Sequence, residues 1–271
     1  MIKPAEIQQI ARCEGVRDTQ IEKDYVISWI LTGISNKEMI FNHLLFKGGT
    51  VLKKFYFKDY RYSEDLDFTL LNKEITSNVI HTSFEATFEF IKAEANITLS
   101  LSDINENETE NLNFMISYVG PLGGSGANKH VKVDISKNEL LQFALTKREM
   151  IKKYSDFEPC RLLCYSLEEV MIEKMRSLLS RQQPRDFYDL WYLSEYEGLE
   201  MSDYVQEFET KTKYKGLNPS NLENRINQLL PIFKARWTSS LSDQIRNLPP
   251  FEQISRELGR HFRKLFKHSI I

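Results

Sequence analysis

Cysteine is scarce in this chain. The 271 residues hold three, Cys13, Cys160 and Cys164, an odd count that argues against a disulfide framework and suits a reducing compartment. Cys160 and Cys164 have no matching second pair. None of the five histidines, His43, His81, His130, His261 and His268, stands at metal-ligand spacing, so a zinc site is not expected. Net charge is also nearly absent, with 36 Lys and Arg against 38 Asp and Glu. Without a global basic footprint, any polyanion site must be a local patch. The longest apolar run, near Tyr25 to Ile34, falls well short of the roughly 20 residues that span a bilayer. Lys3, Glu6 and Arg12 interrupt the N-terminus before a signal-peptide pattern can form. A cytoplasmic protein with no membrane contact is the expectation. Internal repeats, low-complexity tracts, a G-x-S-x-G elbow and a Walker lysine are all missing. What remains is an ordinary globular composition, 41% apolar and 27% charged, long enough for one large domain or two modest ones.

The informative stretch is Lys47 to Phe68, KGGTVLKKFYFKDYRYSEDLDF. If its end is a strand, Asp65 and Asp67 share one face while Leu66 and Phe68 share the other. Two adjacent carboxylates repel unless a cation lies between them, and Mg²⁺ suits that place because it takes oxygen ligands and substrate phosphates. Upstream, His43 to Phe46 reads as a short buried strand, followed by Gly48-Gly49-Thr50 and a helix from about Val51 to Phe57. A strand, a glycine turn and a helix start present backbone N–H groups to a phosphate. Tyr56 to Tyr62 reads as a loop beside the site, with Arg61 and Ser63 just before the acidic strand. Each feature alone has a plainer reading: a polar strand edge for the D-x-D, an ordinary turn for the glycines. Further on, His130 to Ser136 alternates Val131, Val133 and Ile135 with Lys132 and Asp134. This sends Asp134 to the face away from the core.

The remaining pattern is mixed and then helical. Residues 4–13 and 18–33 read as helices, with Glu22, Lys23 and Asp24 solvated in the second unless packing near an active site turns one of them inward. Ile75 to Ile91 is an amphipathic helix. Ile97 to Leu101 and Leu112 to Val119 read as strands joined by an Asn/Glu-rich turn, and Gly120 to Ala127 as a flexible connection between strands. Beyond Ser166 the strand signal fades, which predicts domains over 1–160 and 161–271. Ser166 to Glu169 reads as a capping box. The stripe that follows, Leu167, Met171, Lys174 and Leu178, carries a lysine that either snorkels outward or reaches a buried anion. Pro184 opens the next helix, with Asp186 and Asp189 on one face, and Asp186 alone also reads as a charge complementing the helix N-terminus. The last helix carries Arg256, Arg260, Arg263, Lys264 and Lys267, a run that reads as a solvated face or as phosphate contacts.

Taken together, KGGTVLKK, RYSEDLDF, KVDIS and EEVMIEKMRSLLSRQQPRDFYDLW resemble the AbiEii/MenT-type nucleotidyltransferases of the polymerase-β-like superfamily, which include toxins of toxin–antitoxin and phage-defence systems. The resemblance covers roughly Phe46 to Tyr192. The interval from Gly49 to Asp65 is a little longer than the superfamily's usual one, so the intervening helix and loop must absorb the difference. The resemblance implies an α+β fold: a polymerase-β-like domain with a mixed sheet flanked by helices, followed by a mainly helical bundle that contributes to the active site. It further implies that Gly48, Gly49, Thr50 and Ser63 lie against nucleotide phosphates, and that Asp65, Asp67 and Asp134 hold Mg²⁺. Lys174 would contact phosphate, and Arg185 with Asp186 would close the site from the helical half. Asp65, Asp67, Asp134 and Lys174 would be catalytic. The implied reaction moves a nucleotide from an NTP to an acceptor hydroxyl, with RNA such as a tRNA 3′ end as acceptor and a cognate antitoxin as partner. A metal-dependent nuclease and a non-catalytic nucleotide- or protein-binding module are the alternatives.

Overall fold

The computed structural model describes residues 1–36, 42–107, 111–126 and 129–268. Part of the Asn/Glu-rich turn (108–110), Ala127 at the end of the glycine-rich connection and the last residues of the chain (269–271) lie outside the described residues. The chain forms two compact units, Met1–Glu139 with Leu145–Tyr165, and Leu140–Ala144 with Ser166–Ile271.

In the first unit, helix α1 (Pro4–Glu14) starts at a proline and stops at Gly15, which is left-handed at φ 66°. Helix α2 (Asp18–Ser35) is buried on almost every side from Gln20 to Ile34. Glu22 and Asp24 are fully buried with it, not solvated as the charge cluster suggested. Each has a partner. Glu22 accepts from the Leu122 amide and from Lys129 Nζ, at 2.7 and 2.8 Å. Asp24 pairs with Lys54 Nζ at 2.7 Å and accepts from the Tyr154 hydroxyl. A carboxylate enters an apolar core only under such terms.

Strand β1 (Leu44–Lys47) leads into the short helix α3 (Gly48–Val51), which widens into a π-helical turn over Leu52–Tyr56. Then come β2 (Asp65–Leu70), α4 (Ser77–Ala95), β3 (Thr98–Asn107), β4 (Asn111–Val119) and β5 (His130–Ser136). Two four-residue strands, β6 (Thr146–Glu149) and β7 (Arg161–Cys164), complete the unit. Sequence reading missed both. They are short, and β6 (TKRE) is charged, as befits the last strand of a sheet. The seven strands run β3-β4-β5-β2-β1-β7-β6. The pairs β2–β5 and β1–β7 are parallel, and the other four are antiparallel. One face is apolar: Leu66, Phe68, Leu112, Phe114, Val133 and Ile135 are all buried. Phe84 of α4 meets Phe114 edge-on, with ring centroids 5.1 Å apart. The opposite face carries the polar members of each alternation.

The second unit is helical: α5 (Leu167–Ser180), α6 (Pro184–Glu195), α7 (Val205–Tyr214), α8 (Leu222–Leu241) and α9 (Phe251–His268). Its core groups Phe187 with Phe233, Phe251 and Phe262. Ser166 caps α5 by accepting from the Glu169 amide at 3.2 Å. The Glu169 carboxylate does not complete a capping box. One oxygen accepts from the Gln142 and Phe143 amides, and the other meets the fully buried Lys211 at 2.5 Å. Lys211 also donates to the Leu140 carbonyl, so Leu140–Ala144 is tied into the helical unit. Among the described residues no helix is long and apolar enough to cross a membrane.

Candidate active site

The candidate site starts at the end of β1. Lys47 is the register partner of Asp67, and the chain turns sharply at Gly48. Gly48 has φ 79°, and a Cβ there would come within 2.2 Å of Asp67 Oδ2. Both facts require glycine. At Gly49 a Cβ would strike the Arg61 guanidinium at 2.4 Å and approach Ser63 Oγ at 3.2 Å. The glycine pair thus lets the turn backbone lie against Asp67 on one side and Arg61 with Ser63 on the other. Thr50 is buried, and its hydroxyl donates to the Asp65 carbonyl oxygen, fixing the turn to the start of β2.

The longer interval between Gly49 and Asp65 is taken up by the π-helical turn and by a buried loop. The Phe57 amide donates to the Leu52 carbonyl at 2.8 Å. One wide turn accommodates an extra residue and sends Lys54 inward to Asp24 and Ser28. Burial works against the Asp24 charge, but Lys54, Lys153 and Lys53 together hold its carboxyl at about 2. Tyr60, Arg61, Tyr62 and Ser63 of the loop are all buried.

The three aspartates meet on the polar sheet face. Parallel register puts Asp67 opposite Asp134, and Asp65 opposite Lys132. Backbones of paired strands lie roughly 4.8 Å apart, so Asp65, Asp67, Lys132 and Asp134 form a four-cornered charged patch, each half-exposed. Lys132 Nζ lies 2.6 Å from Asp134 Oδ2. The Asn113 carboxamide, oriented to donate, reaches Asp134 Oδ1 at 2.5 Å from the next strand. Partial burial pulls the Lys132 pKa down. The hydrogen bond to Asp134 and the charges of Asp134, Asp65 and Asp67 outweigh that and raise it above the usual lysine value. All three carboxylates therefore act on one ammonium.

A hard divalent cation suits this donor set, which is all carboxylate oxygen on two adjacent strands. Among the described residues no three carboxylates, imidazoles or thiols are closed into a metal cage, and Asp134 is turned toward Lys132 and Asn113. Holding an ion there would require Asp134 to exchange Lys132 for the metal.

The helical-unit candidates form a cluster of their own. Lys174 does not snorkel outward. It is 4% exposed and lies 2.9 Å from Asp186 Oδ1 and 2.7 Å from Asp189 Oδ2. Arg181 grips Asp186 with two hydrogen bonds of 2.7 and 2.8 Å, the bidentate geometry favoured by guanidinium. Two cations and two carboxylates are thus gathered between α5 and α6. Asp186 is a partner of Lys174 more than a charge for the helix terminus. Arg185 sits half-buried in the first turn of α6.

Sequence reasoning did not single out Lys132, Asn113 or Arg61 as parts of the site. Lys132 belongs to the same alternation as Asp134, and Arg61 to the same motif as Ser63, so both signals were in view. The register that brings Asn113 to Asp134 is long-range and leaves no local trace.

Known proteins share this fold. Among solved structures, MenT4, a nucleotidyltransferase toxin from Mycobacterium tuberculosis H37Rv, superimposes with a TM-score of 0.71 at 17% identity, covering 98% of this chain and 90% of that one. JHP933 from Helicobacter pylori gives 0.52 at 16% identity, over 88% and 90%. At these identities the likeness is one of fold. A search of the curated proteins finds no match. The family model for the nucleotidyl transferase AbiEii toxin of type IV toxin–antitoxin systems matches residues 29–266, and the chain therefore belongs to the AbiEii nucleotidyltransferase toxin family.

Proposed function

We propose that this chain moves a nucleoside monophosphate from an NTP onto a hydroxyl of RNA, with a tRNA 3′ end as acceptor, as the toxin of a pair whose second member is an antitoxin. The acceptor oxygen forms a bond to the α-phosphorus, the bond to the bridging oxygen breaks, and pyrophosphate leaves. The observation that carries this proposal is the placement of Asp67 beside the Gly48 turn and opposite Asp134. The glycine turn then adjoins the carboxylates, the arrangement that a metal-bound phosphate calls for. A nuclease needs the acids but leaves the glycine turn without a role.

In this reading Gly48 and Gly49 let the triphosphate approach the backbone, with Ser63 Oγ at its side. Thr50 holds the turn to β2 through the Asp65 carbonyl. Asp65, Asp67 and Asp134 would hold Mg²⁺, which when bound supplies charge stabilisation at the attacking and leaving oxygens. Asp134, at the edge nearer Asn113, also accepts the proton of the acceptor hydroxyl. Lys174 would contact phosphate only by giving up one of its two carboxylates, with Asp186 and Arg185 shaping the helical side. The chain otherwise contributes positioning and fixed charge. The cytoplasm, where NTPs and tRNA are found, is the setting.

The test is incubation of the purified protein and Mg²⁺ with each of the four α-labelled NTPs, total RNA and cell lysate. Labelled, lengthened RNA with pyrophosphate release is the expected result. Shortened RNA would support the nuclease, and nucleotide binding without pyrophosphate the non-catalytic module. Label on protein alone would replace the acceptor.

A further inference from the structure

We infer that Lys132 is a tethered counter-ion that occupies the acidic face in the metal-free protein and competes with a divalent cation for it. The inference rests on the proposed role of Asp65, Asp67 and Asp134 as cation ligands. It adds a residue that regulates their affinity.

Lys132 precedes Asp134 by two positions on β5 and faces Asp65 in the β2 register. Its ammonium is 2.6 Å from Asp134 Oδ2, on an oxygen that an incoming ion would need. Lys47, the cation next to Asp67 in register, reaches toward Ser136 at 3.1 Å and Glu139 at 3.7 Å. The Lys132 side chain is 44% exposed and ends in a point charge on a flexible stem. It can leave the patch without opening the core. Three like charges on one sheet face repel one another, and Lys132 relieves that repulsion when no metal is present. With a dication in place the ammonium becomes a like charge to it and must swing out. Cation affinity is thereby set low, and loading of the site follows the metal concentration. Lys132 is in this sense a positioning residue.

Mn²⁺ alone serves as the probe, titrated into full-length protein while free Mn²⁺ is followed by electron paramagnetic resonance. Lys132→Met is expected to bind Mn²⁺ about tenfold more tightly than wild type, within the usual range of coupling between sites. It should also melt lower than wild type without metal and recover with it. Lys132→Arg, which keeps the charge, should retain wild-type affinity. Equal or weaker binding by Lys132→Met, with binding still abolished by Asp67→Asn, would overturn the counter-ion role and leave the three-aspartate site standing. Binding that survives both Asp67→Asn and Asp134→Asn, or no binding by any variant, would overturn the site and the inference with it.

Discussion

Asp67 and Asp134 are register partners on adjacent parallel strands, and Asp67 also lies where a Cβ on Gly48 would fall. The two relationships tie a carboxylate pair to a turn at which any side chain would collide with one member of the pair.

Asp67→Asn keeps the shape of the side chain and removes one of three like charges. Nucleotide transfer should fall by roughly two to three orders of magnitude, the scale on which loss of a preorganised electrostatic group acts. The melting temperature should hold or rise slightly. Steady-state transfer together with a thermal melt checks both. A large fall in melting temperature with activity kept would place Asp67 in the scaffold.

Gly48→Ala should be poorly tolerated for two reasons. The left-handed backbone costs about 1–2 kcal/mol for a residue with a Cβ, and the new methyl displaces the Asp67 carboxylate. Chemical denaturation is expected to show the first effect, and transfer assays a larger one. Gly124, which also has positive φ but nothing within 4 Å of its Cβ position, is the control: Gly124→Ala should show the backbone cost alone and leave transfer unchanged.

Lys174→Ala leaves Asp186 and Asp189 buried side by side, with Arg181 still paired to Asp186. Breaking a buried ion cluster from one side costs on the order of 3–5 kcal/mol, so the melting temperature should fall by several degrees. If phosphate contact is also part of its role, nucleotide KM will rise more than stability loss explains. Lys174→Met, which packs without charge, shows how much of the melting-temperature loss is due to packing alone.

Acid should weaken the helical unit through Asp186. Burial raises its pKa, but Lys174 and Arg181 outweigh that and hold the carboxyl below its usual value. The folded state therefore binds fewer protons than the unfolded chain, and the stabilisation is present above the unfolded pKa of about 3.9. It is lost as pH falls through the lower folded value. The melting-temperature gap between wild type and Asp186→Asn should be widest near neutrality and close below about pH 4. A gap independent of pH would mean that the ionised carboxylate is not what stabilises.

Much of this arrangement was legible in the sequence, because strand alternation is a local property. Asp65 and Asp67 had to share a face, and Asp134 had to oppose Val133 and Ile135. Lys174 was legible as a charge out of place on an apolar stripe. Its carboxylate partners were not, since Asp186 has an equally good local reading as an acid in the first turn of a helix. Glu22 and Asp24 were misread as solvated for a related reason. Three consecutive charges look like surface, and only contacts with Leu122, Lys129, Lys54 and Tyr154 bring two of them inside. The strands β6 and β7 were lost to brevity.

The stretch Leu140–Ala144 belongs to the helical unit although the chain returns to the sheet after it. During synthesis these residues are made before Glu169 and Lys211. Their amides must wait in water until the carboxylate that receives them has been made. A scission at Tyr165 would give a C-terminal half with an interior glutamate stripped of both its main-chain donors. The two halves are thus unequal as fragments, and the later one cannot be completed without a short loan from the earlier.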